Sequence, residues 1–146
     1  MRENTLRAIL IALAQATAVL AVAGLPIVNL GYSVFQGTTQ SNGQNQFLGI
    51  RFAAPPLGDL RFRKPQPPPN TTDIQPATAF GPTCFGVGQG LGNGRSEDCL
   101  FLNVWAPANA TPKSKLPVFF WIQGGGYNTN ANANVRWTSY TSYRII

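Results

Sequence analysis

The sequence predicts an α/β protein: an antiparallel hairpin leads into a larger sheet whose buried strand ends in a glycine turn. Three observations carry this prediction. Residues 116–126 read LPVFFWIQGGG; through Ile122 every residue but Pro117 is apolar. That composition predicts a strand buried on both faces, as in a parallel sheet. Residues 32–35 alternate, and residues 47–53 form a second apolar segment beyond the Asn42-Gly43 turn signal. Together these two predict an antiparallel hairpin. Finally, residues 99–105 predict a third strand, closed by Ala106-Pro107.

Gly124, Gly125 and Gly126 follow the buried segment directly. Open α/β sheets place their sites at the C-terminal ends of such strands. Glycines there let the backbone turn and approach a ligand, and clustered N–H groups can hold a developing negative charge. A plain glycine-rich turn explains the same residues equally well.

Composition narrows the function classes. The 146 residues are 44% hydrophobic and 11% charged, which suits one domain with its own core. Eleven Lys and Arg against five Asp and Glu give a net charge of +6. Only Arg61, Arg63 and Lys64 lie close together, so no basic helix or aromatic-interleaved patch points to nucleic acid. The chain has no histidine, the commonest general base. Any Ser-His-Asp/Glu chemistry is therefore incomplete within these residues.

Taken in order, residues 1–23 resemble a secretory leader: Arg2 and Arg7, then apolar stretches, then Ala21-Val22-Ala23 as a small-x-small cleavage site. An uncleaved anchor is the competing reading, but Gln15 and Thr17 interrupt an apolar run already short for a membrane span. The expectation is cleavage near Ala23, with residues 24–146 as the domain and the product secreted. Residues 38–46 are polar and form the hairpin connection. Pro55, Pro56, Pro65, Pro67, Pro68 and Pro69 then exclude regular helix or central strand and predict an extended surface wrap.

Asn70 and Asn109 begin N-x-[ST] sequences and are candidate glycan acceptors on surface loops. The glycine-rich residues 81–94 fail both the dinucleotide spacing and the P-loop pattern, and read as flexible surface. Cys84 and Cys99 are the only cysteines; an even count in a secreted chain favours a disulfide. A metal site would need further ligands, which the absence of His makes scarce. Glu97 and Asp98 are adjacent, so on a strand they point to opposite faces and suit ion pairing better than joint acid–base work. The last residues, from about Val135, show no helical or strand period.

Three segments taken together resemble the type-B carboxylesterase and lipase family of the α/β-hydrolase fold: FLGIRFAAPPLGDLRFRKPQP at 47–67, SEDCLFLNVWAP at 96–107 and LPVFFWIQGGGY at 116–127. The match is strongest over residues 31–127 and covers the N-terminal portion of a typical member. The resemblance implies an incomplete, N-terminal part of an α/β-hydrolase sheet, the antiparallel hairpin leading into the central sheet. It implies that Cys84 and Cys99 form the family's first disulfide, near the active-site entrance. It makes Arg61 and Glu97 a structural ion pair between wrap and strand. Gly125 and Gly126 become backbone donors of an oxyanion hole, with Gly124 allowing the turn. Gln123 stands where cholinesterases usually carry His.

The implied activity is hydrolysis of a small-molecule or lipid carboxylic ester by a serine nucleophile, with no cofactor and no metal. The chain contains no G-x-S-x-G elbow, so the nucleophile, like the acid and the histidine, is absent from it. Two other readings stay open: a non-catalytic binding or adhesion member of the same fold, and a truncated gene product without independent function. Nothing in the sequence sets an oligomeric state.

Overall fold

The computed structural model describes residues 24–126, so the leader over 1–23 and the tail from 127 lie outside the described residues. Two small sheets carry the described chain. The first has the order β1 (Ile27–Asn29), β2 (Val34–Gln36), β5 (Ile74–Pro76); the second has the order β3 (Thr38–Thr39), β4 (Gln44–Arg51), β6 (Phe101–Pro107).

A short turn joins β1 to β2. Gly31 takes φ 87, the Asn29 side chain accepts its N–H at 2.8 Å, and Leu30 N–H donates to Ser33 O at 3.0 Å. The strands then pair antiparallel, Ile27 opposite Gln36. On its other edge β2 pairs parallel with β5, Val34 opposite Ile74. Pro76 is tolerated because β5 is an edge strand, where a missing N–H costs no ladder bond. Neither β1 nor β5 is evident in the sequence; each is three residues long, too short for a period to register.

Gly37 carries the chain from one sheet to the other. A Cβ there would collide with the Gln46 carbonyl oxygen and the Phe47 ring. Only glycine permits so close a crossing, and it corrects the hairpin expected from sequence. Residues 32–35 do not pair with 47–53. The first arm is the two-residue β3, Thr38 opposite Gln46, while β2 turns away to β1 and β5. The turn itself is where Asn42-Gly43 puts it: Gln40 N–H donates to Gln44 O at 2.7 Å, and Gly43 has φ 78.

The core lies between the sheets. Phe35, Phe47, Ile50 and Ala77 are buried, with Val28, Tyr32 and Leu102 packed against them. Tyr32 meets Phe35 edge-on at 6.1 Å and donates its hydroxyl to Arg51 O at 2.7 Å. Burial pushes the Tyr32 phenol above its ordinary value. Leu48 N–H donates to Ala77 O at 2.9 Å and so links the two sheets.

Strand β6 begins at Phe101 rather than Cys99, because Phe101 N–H turns back to Cys99 O at 3.0 Å. Its ladder with β4 is interrupted between Phe47 and Ile50 by a bulge, where Gly49 takes φ 71. The Asn103 side chain accepts the displaced Gly49 N–H at 2.9 Å. The Pro-rich wrap is irregular and exposed apart from a single 3₁₀ turn, Gly58–Leu60. Ala54 N–H donating to Gln66 O at 3.0 Å closes it on itself.

The largest correction concerns residues 117–122. They belong to no strand, and Val118, Phe120 and Ile122 are 74%, 74% and 78% exposed. A strand exists only through the ladder beside it, and no described strand runs alongside this segment. The composition is that of a two-face-buried strand; the neighbours that would bury it are not among the described residues.

Gly49→Ala tests the bulge. Its Cβ would lie 2.7 Å from Ala79 O at a left-handed φ. In the full-length protein it should cost at least about 2 kcal/mol in urea unfolding, and a variant within about 0.5 kcal/mol of the parent would show that the bulge is not a fixed feature.

Candidate active site

The approach to the site starts where β6 ends. Ser114 N–H donates to Thr111 O at 2.9 Å, and Thr111 N–H to the Ser114 hydroxyl at 2.9 Å, making a tight turn before the apolar residues 117–122. That segment delivers Gly124, Gly125 and Gly126. Gly125 has φ 141 and Gly126 has φ 61, both in territory that L side chains rarely adopt. Gly125 is half-buried, Gly124 and Gly126 are exposed, and Gln123 before them is half-buried. The site is thus backbone without side chains: successive N–H donors on a turn that requires glycine. Such donors suit a carbonyl oxygen gaining negative charge.

No side chain among the described residues completes a catalytic set. Three of the described serines have structural contacts: Ser33 is buried against the Thr71 hydroxyl, the Ser96 hydroxyl accepts Asp98 N–H at 3.0 Å, and the Ser114 hydroxyl accepts Thr111 N–H. No group of three or more His, Cys, Asp or Glu gathers among the described residues to hold a metal. None of their helices is long and apolar enough to cross a membrane.

The remaining sequence candidates converge on residues 97–99. Cys99 is bonded to Cys84, with their Cα atoms 5.1 Å apart. Glu97 meets Arg61 at 3.1 Å. Asp98 takes Arg51 in a two-pronged pair, at 2.6 and 2.8 Å, and the same guanidinium lies 4.5 Å from the centre of the Phe101 ring. The adjacent carboxylates therefore serve two different arginines. The Arg51 partnership is not evident in the sequence; the one available signal is a cation inside an otherwise apolar strand. At the disulfide-closed loop a short bridge, Thr83 N–H to Gly94 O at 2.9 Å, closes the neck. Asn70 and Asn109 are both exposed on loops.

Against known proteins, the model of a family described as the carboxylesterase family matches residues 25–146. Carboxylesterase 5A of Mus musculus is 48% identical over 99 residues, covering 60% of this chain and 17% of the relative. Para-nitrobenzyl esterase of Bacillus subtilis is 40% identical over 113 residues, covering 73% and 22%. The crystal structure of Aspergillus niger EstA superposes with a TM-score of 0.73 at 52% identity, over 77% of this chain and 22% of that one. The chain thus spans about a fifth of the length of the relatives it matches. Its neighbours are α/β-hydrolase esterases, and the described residues are a sheet-rich, incomplete part of that fold.

The three links at residues 97–99 differ in kind, and their removal should rank accordingly. Replacing both Cys84 and Cys99 by Ser should cost about 3 kcal/mol, since it frees a loop closed over a separation of 15 residues. Glu97→Gln should cost less than about 1 kcal/mol, because Arg61 is 52% exposed and water screens the pair. Urea midpoints of the full-length variants check the order; equal losses would refute it.

Proposed function

We propose, from the premise that this chain belongs to the carboxylesterase family, that the full-length protein is a secreted hydrolase of small-molecule or lipid carboxylic esters. The observation that carries this reading is the positive-φ turn at Gly125 and Gly126, at the end of the apolar segment and inside the family match. A serine supplied beyond residue 146 attacks the ester carbonyl carbon. Histidine takes the serine proton and returns it to the leaving alcohol, and a carboxylate orients the histidine. The N–H groups of Gly125 and Gly126 hold the oxyanion of the tetrahedral intermediate. Water then repeats the sequence on the acyl-enzyme, releasing the acid.

Secretion is supported by the leader-like residues 1–23, by the Cys84–Cys99 disulfide and by the exposed N-x-[ST] sites at Asn70 and Asn109. The 146 residues contain no histidine, so the chain made as written should not turn over. Hydrolysis of a nitrophenyl ester by the purified 146-residue chain, above a heat-killed control, would contradict that.

In the full-length enzyme, Gly125→Val should lower kcat at least about a hundredfold with little change in KM, since a β-branched residue cannot hold φ 141 and a displaced donor fails chiefly in the transition state. Wild-type kcat in a folded Gly125→Val protein would place the oxyanion donors elsewhere. Sequencing the transcript past the codon for Ile146 separates the alternatives: a G-x-S-x-G elbow and a later histidine support the hydrolase, whereas an elbow without its serine supports a binding protein.

A further inference from the structure

The disulfide-closed loop contains a tight turn whose residues can react with one another. Asn93 has φ 51 and Gly94 has φ 76. Around them Arg95 N–H donates to Gly92 O at 2.9 Å, and Gly92 N–H donates to Arg95 O at 3.4 Å. Two consecutive positive φ values inside such a pairing belong to a type I′ hairpin turn, which Asn-Gly favours. An Asn-Gly step also carries an intramolecular reaction. The glycine nitrogen can attack the preceding side-chain amide, because no Cβ stands in the way. How fast it does so depends on how firmly the fold holds the two groups.

Asn42-Gly43 and Asn93-Gly94 are the Asn-Gly steps of the sequence, and the structure holds them differently. Asn42 Oδ1 accepts Gln44 N–H at 3.2 Å, and Asn42 Nδ2 donates to Gln44 Oε1 at 3.0 Å. The attacking group is engaged as well, because Gly43 N–H donates to Gln40 O at 3.1 Å. This turn closes β3 onto β4, so freeing it disturbs a ladder. By contrast, neither the Asn93 side chain nor Gly94 N–H makes a hydrogen bond among the described residues. The neck bond from Thr83 N–H engages Gly94 through its carbonyl oxygen and not its nitrogen. Glycines at 86, 88, 90, 92 and 94 give this loop little backbone stiffness, and it joins neither sheet. Local opening of such a segment costs less than opening a sheet hairpin.

We propose that Asn93 is a site of spontaneous deamidation in the folded protein, while Asn42 is protected. Gly94 N loses its proton and bonds to the Asn93 side-chain carbonyl carbon. The bond from that carbon to the amide nitrogen breaks, and ammonia leaves. Water then opens the cyclic imide at either carbonyl, giving aspartate or isoaspartate. Each product puts a negative charge into a loop whose ends stay joined by Cys84–Cys99. The proposal rests on these two turns and not on ester hydrolysis. The test incubates the full-length protein at mildly alkaline pH and follows the peptides spanning Asn42 and Asn93 by mass spectrometry. In the folded protein Asn93 should convert at least about fivefold faster than Asn42, whose amide and glycine nitrogen must first lose their hydrogen bonds. In urea the two should convert at similar rates, since the same dipeptide is then free in both places. Asn93→Gln should abolish conversion in its peptide, because the longer side chain closes a larger ring slowly. An intact Asn93 in the folded protein, or equal folded-state rates at the two sites, overturns the proposal. The same rate ratio in urea also overturns it, since flanking residues and not the turns would then set the rates.

Discussion

Three consecutive residues, Glu97, Asp98 and Cys99, hold the long irregular segments of this protein in place. Each of the three reaches a different part of the chain. Glu97 takes Arg61 from the Pro-rich wrap, Asp98 takes Arg51 from the end of β4, and Cys99 takes Cys84 across the glycine-rich loop. Between β5 and β6 the structure has no regular element, and of that connection only Ala77 joins the buried cluster of Phe35, Phe47 and Ile50. Loops of such length are ordered by cross-links or not at all. The covalent link contributes most, at about 3 kcal/mol in the loop-entropy account. The paired arginines add direction more than energy, being partly exposed.

The second organising constraint is unmet burial. Val118, Phe119, Phe120, Trp121 and Ile122 are each between 48% and 78% exposed. Fully burying one such side chain is worth about 1.5–3 kcal/mol. Five together amount to roughly the whole net stability of a small domain. A sequence does not keep such a run at the surface for its own sake. The glycine turn depends on this burial too, because a strand held on both faces would fix where Gly125 and Gly126 present their N–H groups.

How legible each element was in the sequence follows from how local its cause is. The Asn42-Gly43 turn, the Cys84–Cys99 bridge, the Pro-rich wrap and β6 rest on residue chemistry that acts over a few positions, and each lies close to where the residues put it. The pairing of β2 was not legible, because it depends on Gly37 passing within contact of Gln46 and Phe47, a meeting of two segments that no periodicity encodes. The Arg51–Asp98 pair was hidden for the same reason, its partners being 47 residues apart. The strand at 117–122 was misplaced in a different way. Its residue types were read correctly, but a ladder needs a neighbour, and composition does not say whether one is present.

The turn at Gly125 and Gly126 was legible because backbone that must turn with positive φ leaves glycine in the sequence as its trace. Gly125 and Gly126 follow that rule. The rule also gives meaning to its exceptions. Among the described non-glycine residues, Phe62, Asn93 and Lys115 have positive φ. Asn93 sits in a loop and is of a type that visits this region readily. Lys115 closes the turn before the apolar segment, where its charge stays in water. Phe62 follows the Gly58–Leu60 turn, with its ring 5.6 Å from the Arg61 guanidinium. The trace is therefore one-way: a positive φ is legible in the sequence where glycine supplies it, and not where an ordinary side chain does.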